Sequence, residues 1–79
     1  MIENVILDCV YEYINEEINY IENEVDFRDK SINEQAYKED LNYLKNMTSE
    51  KKNEIAQKVV ADEELWNKIN ELIHYYVYH

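Results

Sequence analysis

Asp8, Glu12, Asn15, Asn19, Glu22 and Asp26 follow one another at spacings of four, three, four, three and four. An α-helix turns once every 3.6 residues, so this series places four carboxylates and two amides on one helical face. Such a face has no nucleophile and no proton shuttle, and its chemistry is electrostatic. An ordinary exposed helix mixes signs, because opposite charges four residues apart attract and like charges repel. Residues 1–27 instead hold eight acids and no base, while residues 28–58 hold six acids against seven bases and residues 59–79 four against one. The plainest reading of the face is a solvated surface that keeps a small protein dissolved. The more specific one is an acidic surface shaped to enter a groove lined with Lys and Arg. Four residues of helix rise about 6 Å, whereas one DNA strand presents a charge every ~3.4 Å. On that reading the stripe alone is too sparse, and with Glu3, Glu16, Glu17 and Glu24 adding charge on other sides it would be an approximate electrostatic decoy for a nucleic-acid backbone.

A second set of residues lies in ELIHYYVYH at positions 71–79. With Ile69, Leu72, Ile73, Tyr76 and Val77 turned inward, Glu64, Glu71, Tyr75 and Tyr78 share an outer face. Exposed tyrosines are frequent interface anchors, since they add contact area at the expense of few rotatable bonds. The competing reading is that they pack sideways on neighbouring helices with the hydroxyl in water. Tyr11 flanks the acidic stripe and carries the same two readings. The expected partner-binding set is thus Asp8, Tyr11, Glu12, Glu22, Asp26, Glu71, Tyr75 and Tyr78.

Other chemistry finds little support. Glu71 and His74 have the i,i+3 spacing of a carboxylate-bridged metal helix, but such sites need two copies plus further inward glutamates, so no metal and no cofactor is expected. The single Cys9 rules out an internal disulfide and sits among apolar positions, where a thiol packs as a small hydrophobe. Glycine-rich phosphate loops and nucleophile elbows are absent, and Ser31, Thr48 and Ser49 stand where helix caps belong. An enzyme is not expected. The formal net charge of −10 disfavours direct binding to nucleic acid or an anionic membrane, both of which select basic clusters. It favours a basic protein partner. No basic leader and no apolar run of about 18 residues is visible, so a cytoplasmic location is expected.

The elements that must position these groups are helices. Glycine and proline are both missing from the 79 residues, which removes the usual hairpin turns. Ile2, Val5, Ile6, Cys9, Val10, Tyr13, Ile14, Ile18, Ile21 and Val25 mark an amphipathic first helix over about 2–26. Residues 27–30 read as a connection, and Ser31 with Glu34 fits a capping box opening a second helix over 32–47, with Ile32, Ala36, Tyr37, Leu41, Leu44 and Met47 inward. Thr48 or Ser49 caps a third, over 49–60, that buries Ile55, Ala56, Val59 and Val60. Asp62 caps a fourth, over 63–78, that adds Leu65 and Trp66 to its apolar stripe, or else the third and fourth are one helix. The expected fold is all-α, one domain, a small antiparallel bundle of three or four helices. A chain this short buries only around 60% of its unfolded surface, so self-association into a homodimer is an alternative use of its faces. In that case the protein is a homo-oligomeric structural or regulatory factor, and its acids only maintain solubility.

The segment DEELWNKINELIHYYVYH resembles the C-terminal ends of small acidic proteins encoded by phages and other mobile elements of low-GC bacteria, the anti-CRISPR inhibitors of Cas effectors among them. The likeness covers the last third of the chain and lies in its Trp and Tyr pattern; it transfers no site residue by position. It implies a bacterial host cytoplasm and a Cas effector as the basic nucleic-acid-binding partner, whose channel of Lys and Arg normally holds guide RNA and target duplex.

Overall fold

The computed structural model describes residues 2–62 and 68–79. The expectations for the side chains of Ile2 and Glu3, and for Glu63, Glu64, Leu65 and Trp66 at the head of the last helix, lie outside the described residues. The described residues include four helices, α1 (Ile2–Asn23), α2 (Glu34–Lys45), α3 (Ser49–Ala61) and α4 (Ile69–Tyr78). Among the described residues there is no strand, and the fold is an all-α bundle.

The helices share one core. Ile6, Val10, Ile14 and Ile21 from α1 meet Leu44 of α2, Ile55, Ala56 and Val59 of α3, and Leu72, Ile73 and Val77 of α4. Helix α1 packs against each of the other three, which follows from its wide apolar stripe: Leu7, Cys9, Tyr13 and Ile18 are half-buried on either side of the fully buried row. Burying one aliphatic side chain of this kind stabilises the fold by about 1.5–3 kcal/mol. Cys9 is a free, half-buried thiol beside that core. Val5 departs from its expected inward place, with 59% of its surface exposed, because Ile6 and Val10 take the position that faces the neighbouring helices. Ala36 is likewise exposed.

The connections turn without glycine, and no described residue has a positive φ. Helix α1 ends at Asn23, three residues short of the expected boundary, as Glu24 and Val25 both donate their backbone N–H to the Tyr20 carbonyl. Two consecutive side-chain turns follow. The Arg28 N–H donates to Asp26 Oδ1 at 3.0 Å and the Ser31 N–H to Asp29 Oδ1 at 2.9 Å, the Asx-turn device by which a short carboxylate replaces a backbone acceptor. This arrangement removes the expected capping box: the Ser31 hydroxyl also donates to Asp29, and Asn33 caps α2 by accepting from the Ala36 N–H at 3.1 Å. Thr48 caps α3, accepting from the Lys51 N–H at 3.1 Å. Asp62 is the C-cap of α3, its ψ of 80° ending the helix at Ala61; its expected role as cap of the next helix falls on 63–67 and lies outside the described residues.

Candidate functional site

Asp8, Glu12, Asn15, Glu16 and Asn19 are all exposed on α1. Their direction is set by the packing on either side. Tyr11 lies under the ammonium of Lys52 from α3, 4.6 Å from its ring centroid, while Tyr13 meets His74 of α4 edge-on with centroids 6.0 Å apart. Residues 11 and 13 are separated by about 200° around a helix axis, so Asp8 and Glu12 project into solvent between two occupied flanks. None of the ion pairs among the described residues includes either carboxylate.

The far end of the stripe differs. Glu22 Oε2 accepts from Lys45 Nζ at 2.5 Å, and Asp26 Oδ1 accepts from Arg28 Nε at 3.0 Å. The Arg28 side chain and then its backbone N–H hold the Asp26 carboxyl below the usual aspartate range. An acidic stretch without bases in its own sequence is thus partly neutralised by bases from α2 and from the connection. Asp8, Glu12, Glu16 and Glu17 stand in none of the ion pairs among the described residues, so the uncompensated field lies along 8–17.

The aromatic residues divide in two. Tyr75 is open, 52% exposed, with the His79 ring stacked on it at 4.3 Å and 9°. Tyr78 is not an outward anchor as expected. It is half-buried against the core, its ring 5.1 Å from that of His74 and 6.1 Å from that of Tyr43, and burial with nearby Asp40, Glu17 and Tyr43 pushes its phenol up to about 12. Tyr43 fixes this corner by donating its hydroxyl to the Val77 carbonyl at 2.5 Å. His74, exposed as expected, is the hydrogen-bond partner of the Tyr13 hydroxyl through Nδ1, and burial, aided by Glu17 and Tyr78, pushes the Tyr13 phenol well above its ordinary value. Among the described residues no group of three or more His, Cys, Asp or Glu side chains stands together as metal ligands.

Glu71 is exposed on α4 and, with Tyr75, belongs to a cleft of about 350 Å³ lined, among the described residues, also by Asp62, Leu72 and Tyr76. The Tyr76 hydroxyl donates to Asp62 Oδ2 at 3.0 Å, tying the end of α3 to α4. Sequence reasoning missed this cleft because Asp62 and Tyr76 lie fourteen residues apart across a turn, where helical spacing gives no signal. Of the expected partner-binding residues, Glu71 and Tyr75 come together here. Asp8 and Glu12 share a separate face, Tyr11 is covered by Lys52, Glu22 and Asp26 are paired, and Tyr78 is packed inward.

These features define an acidic helical protein that carries, among the described residues, four helices, an open carboxylate face and a tyrosine-lined cleft. No protein-family model matches the chain, and no curated protein or solved structure matches it. No helix among the described residues is long and apolar enough to cross a membrane.

Proposed function

We propose that the protein is an inhibitor that binds a basic, nucleic-acid-binding surface of a host defence protein, with a CRISPR-Cas effector as the partner. The observation that carries this reading is the open face of α1, where Asp8 and Glu12 stand exposed and in none of the ion pairs among the described residues in a chain of net charge −10. A channel that holds guide RNA is a converse surface, built of Lys and Arg at the spacing of phosphates. Long-range attraction raises the rate of encounter, and close contacts then slow release. The resemblance of the C-terminal third to mobile-element proteins supports the choice of partner. Glu22 and Asp26 lie on the same side of α1, but their field is reduced by Lys45 and Arg28.

The test is direct binding of the purified chain to a purified Cas effector, with and without guide RNA, at low and high salt. The reading requires binding that weakens as salt rises and that competes with RNA. A chain that ignores the effector and sediments as a stable dimer whose assembly survives reversal of Glu12 would replace this reading with that of a self-associating helical factor.

A further inference from the structure

Tyr75 and Tyr76 stand nearly perpendicular, their rings 5.0 Å apart at 87°, and both line the cleft that also contains Asp62, Glu71 and Leu72. Two aromatic walls at right angles, an aliphatic side chain and two carboxylates form an arrangement with a narrow range of suitable ligands. An anion is repelled by Asp62 and Glu71, and a purely apolar group would leave both carboxylates facing it. A cation on an aliphatic stem meets every element: the Tyr76 ring and the face of Tyr75 that the stacked His79 ring leaves open attract positive charge, the carboxylates pair with it, and Leu72 packs against methylenes. The cleft volume of about 350 Å³ exceeds what one long side chain fills. Asp62 is held in place, since its Oδ2 accepts from the Tyr76 hydroxyl at 3.0 Å.

From this geometry we infer that the cleft receives an arginine side chain of the partner. The guanidinium is planar, stacks on tyrosine and presents a fork of donors to carboxylates, whereas an ammonium is a compact, strongly hydrated point charge. This inference rests on the reading of a basic partner given above and adds a second point of contact on α4, away from the open face of α1. The α1 face supplies attraction at a distance. The cleft supplies the orientation of the bound pair, because a stacked and forked group fits in few poses.

The experiment titrates the intact chain with N-acetyl-arginine amide and follows amide chemical shifts, with N-acetyl-citrulline amide as the uncharged counterpart. The expected result is saturable shifts confined to Leu72, Tyr75 and Tyr76, with a Kd on the order of millimolar, and no response to citrulline. Tyr75→Ala and Glu71→Gln each weaken binding by roughly two- to fivefold, as loss of one exposed cation–π contact or ion pair should. The distant Glu39→Gln leaves it unchanged. Equal response to citrulline, shifts spread along α1 as well as α4, or a Kd insensitive to Tyr75→Ala overturns the inference. Arginine bound in the cleft by a chain that fails to bind any effector keeps the cleft and removes the inhibitor reading. Salt-sensitive effector binding at full strength in Tyr75→Ala removes the cleft alone.

Discussion

Reversing the charge at Glu12 separates affinity from stability. In the folded chain Glu12 has Asp8 and Glu16 four residues to either side, and all three are exposed, so two like-charged i,i+4 neighbours become opposite-charged in Glu12→Lys. Each such change removes a repulsion and adds an attraction of about 0.2–0.5 kcal/mol apiece, and the variant should be more stable by about 1–2 kcal/mol. For a domain of this size, 1 kcal/mol moves Tm by about 4–8 °C, so a rise of at least about 4 °C is expected by far-UV circular dichroism. Binding moves the other way. A carboxylate about 7 Å from one cation in a water-like medium contributes roughly 0.6 kcal/mol, and reversal doubles the change. The loss is then about 1.2 kcal/mol for each facing cation, close to tenfold in Kd, and it should shrink as salt approaches ~1 M, where the screening length falls to about 3 Å. Titration of the variant against the effector at two salt concentrations, with a melt on the same sample, measures both. A Glu12→Lys chain that melts higher and binds with unaltered affinity at low salt refutes the assignment of the α1 face. One that melts lower refutes the placement of Glu12 in open solvent.

Glu22→Lys should behave differently, because it removes the Lys45 pair and opposes two ammonium groups; with both side chains more than a third exposed, the cost is at most about 1 kcal/mol, read as a lower melting temperature. Ile73 is completely buried, and Ile73→Ala should destabilise by about 2–5 kcal/mol, shifting the urea midpoint enough to leave a substantial unfolded fraction in buffer. Tyr43→Phe removes the hydrogen bond to the Val77 carbonyl at about 1 kcal/mol, and hydrogen exchange should quicken at the C-terminal end of α4 while α3 keeps its protection. Tyr13 and Tyr78 have phenols raised above the ordinary value of 10. Their contribution to stability is therefore complete below pH 10 and is lost as pH rises toward about 12. An alkaline titration followed by phenolate absorbance should show three of the eight tyrosines ionising late, Tyr13 and Tyr78 through burial and Tyr76 through its hydrogen bond to Asp62, the first two together with loss of helicity; eight phenols titrating at one ordinary value would contradict the packing of the Tyr13, His74 and Tyr78 corner.

The apolar register was legible in the sequence. Ile14, Leu44, Ile55 and Val77 sit at helical spacing, and each is buried where that spacing puts it. Val5 shows where periodicity stops: Val5 and Ile6 each have an apolar partner four residues on, and only the position of the neighbouring helices decides which of the two is covered. The second helix start was misread for a local reason. Ser31 has the right residue three positions later, yet Asp29 captures both its N–H and its hydroxyl, leaving Asn33 to cap. The charge of α1 was overstated for a non-local one, since Lys45 reaches Glu22 across 23 residues, beyond any i,i+4 count. Tyr78 was assigned outward on the same wheel that placed Val77 inward; its burial comes from Tyr43 on α2 and His74 one turn earlier, and no single-helix pattern contains α2.

Helix α1 carries its two surfaces back to back, with Ile6, Val10, Ile14 and Ile21 on one side and Asp8 and Glu12 on the other. It is joined to α2 only through a connection whose Asp26, Arg28, Asp29 and Ser31 are all exposed. Its attachment to the rest of the molecule is therefore mainly through side-chain packing, with little depending on chain continuity. A backbone cut between Arg28 and Lys30 would leave a 28- or 29-residue peptide and a remainder with a matching apolar trough, and the two halves should reassociate as complementing fragments. The carboxylate face could then be exchanged as a separate synthetic piece, with altered charges or labels, while α2, α3 and α4 stay the same.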